Sequence, residues 1–323
     1  MKRITGIGNA LTDVLAQVSD ENMLSALALP KGSMQLIDDS RLPDIRRAMQ
    51  QMTVSRVTGG SAGNTMLALA NLGASPAFIG KVGDDETGRF YADNAASKGI
   101  RPRLIKSGLP SGIAHTFITP DGERTFATYL GAAGNMQADD LDDTMFADCD
   151  YLYIEGYLVQ NHTLIRRAIE MAKAKGAKVC LDLASYNIVE ADHAFFAELL
   201  TEYVDVVFAN EEEARAFTGK EAEEALIDLG RLCEIAVVKM GKRGSAILYQ
   251  GERTFVESMA VSHVIDTTGA GDFYAAGVMY GILNDWDMER CAQAGSLLAG
   301  HVIQVIGTTL PEKVWEEIRT TLL

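Results

Sequence analysis

The segment Val264–Gly277 reads VIDTTGAGDFYAAG and joins an apolar strand to an apolar helix. A helix start leaves backbone N–H groups unpaired and carries partial positive charge. Gly269, Ala270 and Gly271 have little or no side chain, so an anion can approach those N–H groups closely. The turn is suited to hold a cluster of negative oxygens. Asp272, in the first helical turn, is the odd member. An acid beside an anion site repels the anion, unless it accepts a proton from an attacking hydroxyl. The other reading is that Asp272 caps the helix and complements its dipole. DTTGAGD alone leaves both open.

Such a turn needs elements around it. RITGIGNAL reads as a buried strand ending in glycine turns. Thr53 to Val57 continues as a strand into TGGSAGNTMLALANLG, a glycine-rich loop and a helix with Met66, Leu69, Ala70 and Leu72 near helical spacing. From about Arg101 to Tyr129, apolar and polar residues alternate around the turn PDGE. That pattern predicts a β-hairpin with one solvated face, pairing with extended segments between about Asp13 and Asp38. After Asp139, short apolar strands alternate with helices, which predicts a parallel sheet covered on both faces. Ligands of open α/β sheets bind beyond the carboxyl ends of the strands. The polar residues found there are Asn9 and Asp13, Gly59 to Asn64, Glu155, Asp182, Asn210 with Glu213, Lys239 to Gly244, and Asp266 to Asp272.

Bulk properties narrow the class. A chain of 323 residues suits one large α/β domain with an insertion, or two domains. A net charge of −15 argues against binding to nucleic acid or anionic lipid and says little about a small-molecule partner, since a local basic pocket can exist on an acidic surface. No run reaches the ~18 apolar residues of a membrane span. Asn9, Thr12 and Asp13 interrupt the place where a signal peptide needs an apolar stretch. The expectation is a cytoplasmic protein in which Cys149, Cys180, Cys233 and Cys291 are buried reduced thiols. GIGNAL begins like a dinucleotide fingerprint, but Leu11 replaces the third glycine, and no GxxxxGK[ST] occurs.

DTTGAGDFYAAG resembles the C-terminal signature of the ribokinase-like (PfkB) carbohydrate kinase family, and GGSAGNTMLALANLGASPAFIGKVGDDETGRF resembles its N-terminal signature. The two lie about 200 residues apart in the family's order. The resemblance implies an α/β fold: a three-layer, mostly parallel sheet flanked by helices, spanning residues 1–323. It also implies a small β-sheet lid from about 13–38 and 101–130. The implied reaction transfers the γ-phosphoryl of ATP, with Mg²⁺, to a hydroxymethyl group of a sugar or nucleoside. By similarity Asp272 is the base, and the backbone of Gly269, Ala270 and Gly271 is the anion hole.

The same resemblance assigns the remaining residues. Asp13, Gly60, Asn64 and Glu155 would bind the acceptor, although Glu155 also reads as a solvated strand-end acid. Asn210 and Glu213 would organise magnesium and phosphate through water, while Glu211 and Glu212 read as helix N-terminal acids. Lys239, Gly241, Gly244 and Thr268 would lie along the nucleotide, with adenine near Ser296, Ala299 and His301, the last equally a packing residue. A monovalent cation such as K⁺ could bind beside the anion hole through carbonyls near Asp266, Thr268 and Gly307. Arg124 on the lid would stabilise phosphate charge, or else pair with Asp121 or Glu123 at the surface. Lid closure would exclude water.

The acceptor is read from finer likeness. GNALTDVLAQVSDENMLSALALPKGSMQLID and ERTFATYLGAAGNM resemble adenosine kinases, and LDLASYN lacks the DPN.R of ribokinases. Glu155 favours a polyhydroxy sugar such as fructose, ribose or 2-keto-3-deoxygluconate. The first reading is a nucleoside kinase and the alternative a sugar kinase. Intact Asp272, glycines and Asn210/Glu213 argue against a catalytically silent binding protein on the same fold. A monomer and a homodimer paired through the lid are both compatible.

Overall fold

The computed structural model describes residues 1–19, 22–50, 52–121 and 123–322. Strands are numbered along the chain. A nine-stranded sheet contains β1 (Ile4–Ile7), β5 (Ala77–Gly83), β6 (Arg101–Ser107), β9 (Tyr151–Glu155), β10 (Lys178–Asp182), β11 (Val206–Asn210), β12 (Ile235–Lys239), β13 (Ser245–Tyr249) and β14 (Glu252–Val256). Its order is β14-β13-β12-β11-β10-β9-β1-β5-β6, parallel throughout except for β13 and β14. The central strands are apolar on both faces because both are covered. Tyr151, Tyr153 and Phe208 point into one core with the helices Ser61–Asn71, Ala270–Leu283 and Met288–Val302. Leu152, Ile154 and Val207 point into the other with His162–Ala174, His193–Glu202 and Ala222–Leu232. This is the expected three-layer α/β architecture.

A second sheet holds β2 (Leu11–Gln17), β3 (Met34–Leu36), β4 (Val54–Gly59), β7 (Gly112–Ile118) and β8 (Arg124–Tyr129), in the order β3-β8-β7-β2-β4. Three expectations change. The segment 101–107 is not part of this lid; it pairs in parallel with β5 as the edge of the large sheet. An edge strand covered on one side alternates as a lid strand does, so the pattern could not separate them. The hairpin β7–β8 exists, but it has no solvated face, since every residue of β7 is buried. One side packs on Leu24, Leu42, Ile45 and Met49 from short helices outside the sheet, and the other faces the large domain. β4, not expected in this sheet, pairs with β2 and leads directly into Ser61–Asn71, so the small sheet is joined to the first residues of that helix.

All four cysteines are buried and unpaired. Among the described residues no helix is long and apolar enough to cross a membrane.

The helix Ala270–Leu283 is buried from Phe273 onward, enclosed between the sheet and Met288–Val302. Its close approach to that helix depends on Gly277, where a Cβ would lie 2.5 Å from the Ala294 carbonyl. Backbone cannot yield as a side chain can. Gly277→Ala is therefore expected to cost about 1–3 kcal/mol, measured as a lower midpoint in urea unfolding.

Candidate active site

The carboxyl ends of the large sheet, the inner face of the lid and the start of Ala270–Leu283 enclose a cavity of about 1500 Å³. Asp13, Gly60, Asn64, Glu155, Asn210, Glu213, Lys239, Gly241, Gly244, Thr268, Gly269, Ala270, Gly271 and Asp272 all line it. At its centre Gly269 adopts φ 76°, a left-handed conformation that favours glycine, and caps the helix with no side-chain hydrogen bond. The first N–H groups of the helix are therefore not taken by a capping side chain.

Asp272 is fixed from a second helix start. Ser61 Oγ donates to its Oδ1 at 2.7 Å, and Asn64 Nδ2 donates to its Oδ2 at 2.9 Å. Burial lifts its carboxyl to about 6, against the lowering effect of these two hydrogen bonds. Asn64, expected to read acceptor hydroxyls, has its amide engaged with protein, because its Oδ1 also accepts from Thr308 Oγ1 at 3.2 Å.

The acceptor side centres on Asp13. Burial raises its carboxyl to about 7, partly offset by Arg124 and reinforced by Asp272. Gly59 lacks a Cβ because Asp13's carboxylate fills that space. Gly60, at φ 85°, lies against the Asn9 carbonyl, which a side chain would strike. Glu155 departs from both expectations. It is not solvated, and both its oxygens are engaged by protein donors, although it borders the cavity. Its Oε1 accepts from Asn9 Nδ2 (2.8 Å), and its Oε2 accepts from the Ala62 N–H (3.0 Å) at the start of Ser61–Asn71. It caps that helix from a neighbouring strand. Burial raises its carboxyl to about 7 despite these donors.

On the opposite side Lys239 Nζ pairs with Asp182 at 3.0 Å and lies against Gly271, where a Cβ would sit 3.2 Å away. Burial opposes its charge, but Asp182 and Glu213 outweigh that and hold its pKa above the ordinary lysine value. The ammonium thus sits beneath the turn. Asn210 and Glu213 form a reciprocal capping box: Glu213 accepts from the Asn210 N–H (2.8 Å) and Nδ2 (2.7 Å), and Asn210 accepts from the Glu213 N–H (2.9 Å). Burial lifts Glu213 to about 7. Among the described residues no three His, Cys, Asp or Glu converge to hold a metal alone. The carboxylates of Asp182, Glu213 and Asp272 border the cavity and suit a divalent ion that keeps its waters and arrives with phosphates.

Ser296, Ala299, Gly300 and Ile303 form one helical stripe on the wall beside Met259–Ser262. His301 is not among the described lining residues; one position beyond Gly300 rotates it about 100° off that stripe. Sequence reasoning missed the 259–262 strip, which carries no motif. Ser296 ties it down, donating to the Glu257 carbonyl and accepting from the Met259 N–H at 2.8 Å. Arg124 is also absent from the described lining residues, and it does not pair with Asp121 or Glu123. It makes a buried ion pair with Asp266 at 2.9 Å. Lys31 takes Asp121 instead.

Residues 32–315 match the profile described as pfkB family carbohydrate kinase. The chain belongs to that family. Among solved structures it resembles an adenosine kinase from Sinorhizobium meliloti (34% identity, 99% of both chains, TM-score 0.87). It also resembles a probable sugar kinase from Rhizobium etli CFN 42 (32% identity, 100% of this chain and 99% of that one, TM-score 0.88). Among curated relatives it is 29% identical to the 5-dehydro-2-deoxygluconokinase of Geobacillus kaustophilus, over 83% of this chain and 86% of that one. This member of the pfkB family is a sugar or nucleoside kinase, an enzyme that phosphorylates an alcohol. Membership implies ATP and a divalent metal.

The raised carboxyl of Asp13 has a consequence for stability. Its pKa is about 7 when folded against an ordinary value of 3.8, so the folded state holds the proton more tightly. That contribution is fully present below about pH 4 and is lost as pH rises through 7. Asp13→Asn cannot titrate. The urea midpoint of the wild type, relative to that variant, is expected to fall between pH 5 and pH 8.

Proposed function

We propose that the protein transfers the γ-phosphoryl of ATP to the hydroxymethyl group of a nucleoside resembling adenosine. The observation that carries the acceptor reading is the wall beyond Asp13. Met34, Leu36 and Phe126 from the lid face Leu130, Ala133, Met136 and Leu158, an apolar slot of the kind a flat base fills. Met34 and Leu36 are exposed large apolar side chains that such a base would cover. The only basic residues on the described wall are Lys239 and Lys242, both on the nucleotide side. A sugar acid would leave its carboxylate without a cation there.

In this reading Asp13 accepts hydrogen bonds from two adjacent ribose hydroxyls. The hydroxymethyl group enters beside Asp272 and takes over donation from Ser61 or Asn64. Asp272 removes the hydroxyl proton as the new O–P bond forms and the bond to the departing ADP breaks. A pKa of about 6 leaves the carboxylate ionised at neutral pH while keeping it near the optimum for a base. The N–H groups of Gly269, Ala270 and Gly271 stabilise charge on the transferring group, with Lys239 beneath them. Mg²⁺ would supply charge neutralisation of the phosphates, held through water near Glu213 and Asp182. Closure of the lid excludes water from the reacting atoms.

Two measurements test this. Asp272→Asn keeps the shape of the site and removes the base; kcat is expected to fall roughly 10²- to 10⁴-fold with nucleotide affinity little changed. Turnover near the wild-type rate would remove the proposed role. ADP release is to be compared across adenosine, ribose, fructose and 2-keto-3-deoxygluconate, with the highest kcat/KM expected for adenosine. A higher value for any of the three others would replace the nucleoside reading with a sugar-kinase one.

A further inference from the structure

The turn that begins at Asp266 is locked by charge from the lid. Asp266 Oδ1 accepts from the Thr268 N–H at 3.0 Å, and Oδ2 accepts from the Gly307 N–H at 2.8 Å. Arg124 Nη1, at the start of β8, completes the set at 2.9 Å from Oδ2. Both side chains are almost fully buried, at 7% and 8% exposure. The Asp13 carboxylate also favours the charged form of this guanidinium. One fixed cation therefore lies within reach of the acceptor-binding acid and of the acid that holds the turn.

This arrangement disagrees with a monovalent cation bound near Asp266, Thr268 and Gly307. A cation held by carbonyls there would lie beside this buried guanidinium, whose like charge opposes it, and the Asp266 carboxylate is already engaged by the guanidinium and two N–H donors. The pair is also a poor stabiliser, since Arg124 Nη2 is buried without a hydrogen-bond partner. Fold stability alone does not account for it.

We propose that Arg124 is the built-in cation of the anion-binding turn, so that the enzyme works without K⁺ and the turn is electrostatically complete only when the lid sheet is docked. The inference rests on reading Gly269–Gly271 as the anion hole. An unpaired Asp266 carboxylate, buried at the root of that turn, opposes negative charge on the transferring group. The guanidinium cancels that charge. Because it rides on β8, movement of the lid withdraws it. Arg124 acts through Asp266 and the turn, which makes it a positioning residue.

The test compares K⁺ with choline at constant ionic strength, on ligand-free protein and in the ADP-release assay. Wild type is expected to show the same Tm and the same kcat, within roughly two-fold, in both salts. Arg124→Ala is expected to lose roughly 10²- to 10³-fold in kcat in choline. K⁺ or low-millimolar guanidinium should restore at least a tenth of that loss and should raise the Tm of the ligand-free variant. A K⁺-specific rise in wild-type Tm or a tenfold K⁺ activation of wild type would overturn the proposal. So would a folded Arg124→Ala that is unimpaired in choline, or one that neither cation rescues. If Arg124→Ala does not fold, Arg124→Lys replaces it, with K⁺-independent activity below wild type expected and K⁺ activation contrary. The Tm arm needs no turnover, so failure of the kinase reading, seen as no ADP release with any acceptor, is distinct from failure of this one.

Discussion

Two helix starts meet at one carboxylate, and the rest of the site is arranged around that meeting. Asp272 belongs to the first turn of Ala270–Leu283, and its two oxygens are held by Ser61 and Asn64 from the first turn of Ser61–Asn71. Both helix ends bring partial positive charge to the same point. That offsets part of the cost of burying an ionised acid, a cost still visible in its raised pKa. Glu155 serves the same junction from behind by capping Ala62. Moving either helix axially would pull Asp272 away from Ser61 and Asn64, which is why the close glycine packing around Gly277 matters to the site as well as to stability.

The cleft is rich in acids for a site that handles phosphate. Asp13, Glu155, Glu213 and Asp272 all have raised pKa values, each mainly through burial. Protein donors satisfy several of them, but only two cations, Lys239 and Arg124, are buried among them. Each sits beside the anion-binding turn, one beneath Gly271 and the other behind Asp266. These two buried cations thus stand beside the turn where, in the proposed reading, phosphoryl oxygens would be. The surrounding carboxylates are left for hydroxyls, water and a divalent metal.

Much of this was legible in the sequence, for a physical reason. A turn that must bare its backbone leaves small residues, and a strand buried on both faces leaves an apolar run, so DTTGAGD and the βα rhythm after Asp139 were informative. What stayed hidden depends on partners distant in sequence. Nothing near Glu155 tells that Asn9 and Ala62 will take both its oxygens. Nothing near Arg124 points to Asp266, which lies more than a hundred residues on, in the segment before Ala270–Leu283. His301 was misplaced by a single helical step from Gly300. The Arg101–Ser107 strand was misassigned because polarity alternates at the edge of any sheet.

The division of labour between the two sheets also bears on acceptor choice. Asp272, the bare turn and Lys239 belong to the large domain, and in the proposed reading they would act on a hydroxymethyl group whatever it is attached to. Asp13 would accept from a pair of neighbouring hydroxyls, a feature common to furanose sugars and nucleosides alike. Discrimination must then fall to what lies past those hydroxyls, and there the wall comes from Met34, Leu36 and Phe126 of the lid. These residues touch neither the base nor the turn, so they can vary without disturbing phosphoryl transfer. That separation explains how one body, with one reaction centre, can resemble enzymes named for a sugar acid and for adenosine to similar degrees. Met34, Leu36 and Phe126 stand on a sheet whose register is set by β-pairing and which the Arg124–Asp266 ion pair joins to the turn.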